Sequence, residues 1–151
     1  MRLFTYAGVA WSIYREIKIQ KQYNKLFLLP YLHQLETKHN GNFKDEQKQK
    51  ICNYYGLFIT SFLCSSYKKL QGKKLSDAER KRATLFGILT PVGDDLFDED
   101  KLDIESIRSI TFHPESYTAA TFTAQVAKEI QTFLLQDVPH KSEYLQAAKN
   151  V

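Results

Sequence analysis

A run of acidic residues follows an apolar segment in the stretch GDDLFDED, at positions 93–100. Asp94, Asp95 and Asp98 have the spacing D-D-x-x-D, and Glu99 comes next. On a helix, side chains three and four positions apart lie on one side, so these carboxylates would be close neighbours. Carboxylates held that close repel one another unless water solvates them or a cation binds them. The spacing therefore predicts a Mg²⁺ site, because this hard cation takes one or two carboxylates together with water and phosphate oxygens.

Two other interpretations fit the acidic run less well. A calcium loop of the EF-hand type is excluded, because a register that starts at Asp94 places Leu96 where an oxygen ligand is needed and Glu99 where glycine is needed. A plain loop in which Asp94 or Asp95 caps a short helix would account for one acidic residue, but it leaves the others unexplained.

The acidic run and the apolar segment before it, ATLFGILTPV, together resemble the first aspartate-rich motif of class I isoprenoid synthases. These are the trans-prenyl diphosphate synthases and the squalene and phytoene synthases. The local resemblance covers residues 83–100. It implies an all-α helical bundle related to the terpenoid synthase fold, with Mg²⁺ bound against a prenyl diphosphate. The metal would promote departure of the diphosphate, and an aromatic-rich cavity would guide the carbocation.

The resemblance also implies roles for residues on either side of the motif. Leu89 and Thr90 stand where family members carry bulky aromatic residues that limit product length, so they are expected to contact substrate. Lys101 and Arg108 replace the Arg-Arg-Gly segment of the prenyl diphosphate synthases as weaker substrate-binding cations. No second acidic motif lies between positions 103 and 151. The resemblance therefore implies the first half of such a domain, completed by a further segment or by a second copy.

Helical spacing of apolar residues predicts an all-α fold in one domain of 151 residues. A first helical stretch over 8–38, with Trp11 and Tyr14 on its apolar face, is expected to be kinked or divided at Pro30. A second helix is expected over about 44–70, with Phe58 and Phe62 on its apolar face.

Start and stop signals place the remaining helices. Ser76 and Glu79 have the spacing of a capping box, which starts a third helix that leads into the acidic run. Pro114 is expected in the first turn of a helix whose apolar face includes Phe122 and Ile130. A break near Pro139 precedes a last helix. No segment alternates apolar and polar residues as a half-buried strand would.

Charge and composition limit the partners. Positions 94–105 hold seven acidic residues and one Lys, so this stretch carries −6 while the rest of the chain carries +10. No helix-turn-helix or RNA-binding signature accompanies the basic residues, so no nucleic-acid partner is expected. No apolar stretch is long enough to cross a membrane, and the basic, aromatic N-terminal segment is compatible with loose peripheral contact with a membrane surface. Cys52 and Cys64 are expected to be reduced, buried thiols in a cytoplasmic protein.

Three functions remain open from the sequence. The first is a Mg²⁺-dependent isoprenoid diphosphate enzyme, complete or incomplete in this chain. The second is a non-catalytic helical module that kept the fold and binds a partner through an apolar surface. The third, an all-α nucleotide pyrophosphohydrolase, would need paired E-x-x-E and E-x-x-D motifs, which the sequence lacks.

Overall fold

A computed structural model describes residues 2–136, 138 and 141–149, and within these ranges the chain forms helices and no strand. The all-α prediction is confirmed. The chain divides into two compact units, unit 1 (Met1–Pro91) and unit 2 (Val92–Val151). The expectation of a single domain stays a prediction.

Two long helices begin unit 1. The first runs without a break over 2–38 as α1 (Arg2–Tyr23), a π-helical segment π1 (Asn24–Leu28) and α2 (Leu29–Lys38). The second runs over 45–70 as α3 (Asp45–Lys50), π2 (Ile51–Tyr55), α4 (Gly56–Phe58), π3 (Ile59–Cys64) and α5 (Ser65–Leu70). The sequence placed these helices correctly, but Pro30 does not divide the first one. The widened turn π1 lies just before the proline, and a π-helical turn is one of the ways in which a helix changes direction without ending.

The two long helices of unit 1 pack antiparallel. Asn24 donates its side-chain amide to the carbonyl oxygen of Cys52 (2.7 Å), and Gln20 donates to that of Gly56 (3.0 Å). Both acceptors lie in or next to π2, where widened turns change the local hydrogen-bond pattern. Side-chain amides on one helix thus satisfy backbone groups on the other.

The third helix of unit 1 is α6, which spans Asp77–Asp98 and continues into unit 2. The predicted capping box is confirmed: Ser76 N–H donates to Glu79 Oε2 (2.9 Å), and Glu79 N–H donates to Ser76 Oγ (3.3 Å). The core of unit 1 consists of fully buried aliphatic side chains from its helices, namely Leu28, Leu32, Leu35, Ile51, Leu85 and Ile88.

The described residues of unit 2 form the end of α6 and three shorter helices, α7 (Ile104–Phe112), α8 (Phe122–Leu135) and α9 (Lys141–Lys149). Asp103 caps α7 by accepting from Ser106 N–H (2.7 Å), and Thr121 caps α8 by accepting from Ala124 N–H (3.2 Å). The placement of Pro114 in the first turn of a helix is wrong, because the residue lies in a turn after α7. The predicted break at Pro139 lies outside the described residues.

Candidate functional site

The acidic run lies at the C-terminal end of α6. The helix remains intact through Asp98, so Asp94 and Asp98 are i, i+4 neighbours, and both are exposed to solvent. Asp95 is half-buried, and Glu99 is exposed in the turn that follows. The interpretation in which Asp94 or Asp95 caps a short helix is wrong, because neither residue lies at a helix start.

Backbone contacts close the end of α6 tightly. The N–H groups of Glu99 and Asp100 both donate to the carbonyl oxygen of Asp95, at 2.9 and 3.0 Å. Lys101 then takes a left-handed conformation with φ 55°, which is uncommon for a residue with a side chain. The hydroxyl of Thr121 donates to the carboxylate of Asp100. One acidic residue of the run therefore serves to join this turn to the start of α8.

The predicted metal ligands do not converge as a closed site would require. Among the residues that the structure describes, no group of three or more His, Cys, Asp or Glu side chains is placed to hold a metal ion. The pair Asp94 and Asp98 remains, and two carboxylates fit a Mg²⁺ ion that keeps most of its water. When bound, such an ion would supply positive charge to a diphosphate; the two carboxylates would hold it.

The predicted substrate residues are spread along the chain. Leu89 is half-buried and Thr90 is exposed, and both lie in the part of α6 that belongs to unit 1. Lys101 and Arg108 are exposed in unit 2. Within the described part of the chain, no hydrogen bond or ion pair joins Lys101 or Arg108 to Asp94 or Asp98.

A different site, which the sequence did not indicate, is an open apolar cleft in unit 1. Its volume is about 330 Å³, which is within the range of sites that hold ligands or partner side chains. Residues of α1 and of the 45–70 helix line it: Ile13, Ile17, Asn53, Tyr54, Leu57, Phe58, Ser61 and Phe62. The lining is almost wholly apolar, so water gains little from filling the cleft.

An aromatic ridge borders this cleft. Tyr54, Phe58 and Phe62 stack in sequence along the 45–70 helix, with ring centroids 6.2 and 5.2 Å apart and near-parallel planes. Phe58 is 47% exposed and Phe62 is 45% exposed. The sequence places these rings, and those of Trp11 and Tyr14 on α1, on apolar helix faces, and all four are exposed to solvent. Helical spacing identified one apolar face correctly but did not indicate what covers it.

Unit 1 also contains a buried polar network. Arg80 donates to Gln20 Oε1 (2.7 Å) and to Glu16 Oε2 (3.3 Å). The amide of Gln20 lies within hydrogen-bond distance of Asn24 Oδ1 and Thr84 Oγ1, at 2.8 and 2.9 Å. Among the described residues, no buried side-chain nitrogen or oxygen lacks a partner. Because every group is satisfied within the fold, the network stabilises helix packing and leaves nothing directed at a ligand.

Burial and hydrogen bonding oppose each other at Glu16. Burial raises the pKa of this carboxyl, but the hydrogen bond from Arg80 and the charges of Lys69 and Arg80 outweigh it, with a contribution from Ser65, so the pKa lies below its ordinary value. Glu16 is therefore a carboxylate at neutral pH and has its countercharges in place.

Comparison with known proteins adds no assignment: no protein-family model, curated protein or solved structure matches this chain. Among the described residues, no helix is both long enough and apolar enough to cross a membrane.

Proposed function

We propose that this chain is a non-catalytic helical interaction module that associates with a second copy of itself through the cleft and the aromatic ridge of unit 1. The observation that carries this proposal is the ridge of Tyr54, Phe58 and Phe62, which places stacked, half-exposed rings beside an apolar cleft. A contiguous apolar surface of this kind is uncommon on a monomer and marks an interaction site. Grooves between helices commonly take an amphipathic helix.

Charge supports a second copy as the occupant. Unit 1 contains 16 Lys and Arg residues and 6 Asp and Glu residues, so its net charge is +10. Unit 2 contains 5 Lys and Arg residues and 11 Asp and Glu residues, so its net charge is −6. Unit 2 also exposes Phe97 and Ile104 next to its acidic residues. An apolar surface with acidic neighbours on one copy complements an apolar cleft on the positively charged unit 1 of another.

Sedimentation velocity over a range of protein concentrations tests self-association. The wild type is expected to form dimers as concentration rises, in EDTA as well as in Mg²⁺. Phe58→Ser/Phe62→Ser is expected to remain monomeric, because it removes the half-exposed rings from the ridge. Leu26→Ser, at an exposed site that does not line the cleft, is the matched control and should behave as wild type. A monomer at every concentration, or a double variant that associates as wild type does, would overturn the proposal.

A second candidate function is Mg²⁺-dependent binding of a prenyl diphosphate at the end of α6, as in the isoprenoid enzymes that the motif resembles. The observation that favours it is the intact helix through Asp98, which keeps Asp94 and Asp98 on one side. Calorimetric titration with a non-hydrolysable farnesyl diphosphate analogue tests it. Binding that requires Mg²⁺ and is lost in Asp94→Asn/Asp98→Asn, but not in Glu105→Gln, supports this function. Binding that these substitutions leave unchanged contradicts it.

We further propose a cytoplasmic location. Cys52 and Cys64 are both free thiols, half-buried rather than fully buried as the sequence suggested. Burial raises the pKa of both thiols, that of Cys52 to about 11. At neutral pH they are therefore protonated and unreactive, which suits a reducing compartment. Thiol labelling of protein isolated under non-reducing conditions tests this location. Both cysteines are expected to be free.

A further inference from the structure

Near one end of unit 1, two neighbouring helices carry exposed aromatic, aliphatic and basic side chains. The ammonium group of Lys69, in α5, donates to Ser12 Oγ (2.6 Å), in α1, so the middle of α1 lies beside the end of α5. Trp11 on α1 is 66% exposed, while Tyr67 and Leu70 on α5 are 63% and 87% exposed. We call this set the basic-aromatic end: Trp11, Tyr14, Arg15, Tyr67, Leu70, Lys73 and Lys74.

The turn after α5 explains why Leu70 is so exposed. Gly72 has φ +69°, a left-handed conformation that ends the helix and that glycine adopts without strain. The N–H groups of Gly72 and Lys73 donate to the carbonyls of Lys69 and Lys68, which closes the end of α5. Leu70 is therefore held at the tip of an ordered helix end, where its apolar side chain has no cover among the described residues.

Cations outnumber acidic groups on the surface of this end. Glu16 is buried and paired with Arg80 at 3.3 Å, and Glu79 is paired with Lys68 and with the Ser76 cap. Arg15, Lys73 and Lys74 are exposed, and Asp77 is the nearby exposed acid. The cationic face continues along α1, where Lys18 and Lys21 are also exposed and no acidic residue other than Glu16 occurs.

We infer that the basic-aromatic end docks on an anionic phospholipid surface. Tryptophan and tyrosine rings favour the boundary between headgroups and acyl chains, because one part of each ring is apolar and another can hydrogen-bond. Leu70 inserts below them, and Arg15, Lys73 and Lys74 meet the headgroups. Each cation near such a surface contributes about 1 kcal/mol of attraction. This docking is peripheral, and it is independent of self-association through the cleft.

Trp11 provides a direct probe, because it is the single tryptophan of the chain. Its fluorescence would be measured during titration with vesicles of phosphatidylcholine alone and with vesicles that contain about a quarter phosphatidylserine. A blue shift with the anionic vesicles, and a much weaker one with neutral vesicles, is expected. No shift with either, or equal shifts with both, overturns the inference. A shift with single-stranded DNA but not with anionic vesicles also overturns it, because it indicates a nucleic-acid partner.

Vesicle co-sedimentation of variants locates the contact. Lys73→Ala/Lys74→Ala is expected to bind anionic vesicles about 30-fold more weakly, from the loss of two headgroup cations. Leu70→Ser is expected to bind about tenfold more weakly. Arg108→Ala/Lys141→Ala removes the same charge from exposed positions of unit 2 and is expected to bind as wild type does. An equal loss in this control pair would mean that net charge alone drives binding, and the docking surface would be rejected.

Discussion

Arg80 and Glu16 form an ion pair in the interior of unit 1, and both side chains are almost fully buried. A buried charge is tolerated only when a partner and hydrogen bonds replace the water it has lost. Arg80 meets this condition with Glu16 and Gln20, and Glu16 adds Lys69 at 3.5 Å and the hydroxyl of Ser65. The pair therefore joins α1, α5 and α6 in one arrangement.

Removing one member of this ion pair should lower the free energy of unfolding more than removing both members does. Arg80→Ala is expected to lower the free energy of unfolding by about 3 kcal/mol, because Glu16 keeps its burial but loses its main donor. Glu16→Gln/Arg80→Met, which removes both charges and keeps much of the volume, is expected to lose less than half as much. Urea unfolding followed by circular dichroism measures both. Equal losses would mean that the pair contributes through packing and not through charge.

Two buried carboxylates should make the fold sensitive to acid. The pKa of Glu36 is lowered like that of Glu16: burial raises it, but hydrogen bonds from Lys48, the Phe43 N–H and His33, with the Lys48 charge, outweigh burial. A carboxyl whose folded pKa is depressed stabilises the fold above its unfolded pKa and loses that contribution as pH falls through the folded value. The free energy of unfolding should therefore stay constant at pH values above the ordinary glutamate pKa of 4.5 and decline as the pH falls below it.

Unfolding in urea at a series of pH values measures this decline. The decline should be shallower in Glu36→Gln, since one of the two carboxyls is then absent. In the matched variant Glu105→Gln, at an exposed glutamate, the slope should equal that of the wild type. Stability that rises on acidification would contradict the assignment of both carboxyls as buried carboxylates.

At the scale of elements, α6 crosses the 45–70 helix where two glycines meet. A Cβ added at Gly87 would lie 2.9 Å from the carbonyl oxygen of Tyr55 and 3.5 Å from the Cα of Gly56. The nearest atoms are backbone, which cannot move aside as a side chain could. The absence of a side chain at Gly87 is thus what lets the helices approach this closely.

Gly87→Ala should therefore destabilise the fold by about 1–3 kcal/mol, because overpacking outweighs the gain in helix propensity. Gly93→Ala is the matched control on the same helix, since a Cβ there would have no contact within 4 Å. It should stabilise the fold by roughly 0.5–1 kcal/mol through helix propensity alone. Thermal unfolding of the two variants compares them directly. Similar behaviour at both positions would show that the two helices do not pack closely at this crossing.

Much of this element structure could be predicted, and the failures have physical reasons. Apolar spacing and the Ser76–Glu79 capping box are local signals, so they located the long helices and the start of α6. The widened turn π2 depends on amides of Gln20 and Asn24 that reach it from another helix, and no local pattern records such a contact. The same spacing that predicts an apolar face cannot say whether protein or solvent covers it, and at Phe58 and Phe62 that face is exposed to solvent.

The candidate site likewise has features that the sequence could predict and features that it could not. The D-D-x-x-D spacing correctly predicted that Asp94 and Asp98 share one side of a helix, because that follows from helix geometry alone. Whether further side chains come close enough to ligate the same metal ion depends on tertiary structure. Among the described residues, no group of three or more His, Cys, Asp or Glu side chains does so. The cleft was missed because its walls come from α1 and the 45–70 helix, whose residues are some 40 positions apart in sequence.

Over the whole molecule, charge is divided between the two units, with +10 on unit 1 and −6 on unit 2. Charges of opposite sign on two copies attract when the copies meet, and salt screens exposed charges that lie more than about 10 Å apart. Apolar contacts become stronger in salts such as sulfate, because these salts are excluded from the protein surface and so favour the burial of apolar area. Ionic strength therefore separates the two contributions to self-association.

Self-association of the wild type should weaken as sodium chloride is raised, since charge complementarity between the units assists the apolar cleft. In sodium sulfate the apolar contribution should recover part of that loss. Lowering the net charge of unit 2 from −6 to −2 by Asp94→Lys/Asp98→Lys should weaken dimers at low salt and have little effect at high salt. Sedimentation velocity in each buffer measures the dimer fraction. Association that salt does not change, in both the wild type and this variant, would mean that apolar contact alone drives dimerisation and that the charge asymmetry has another role.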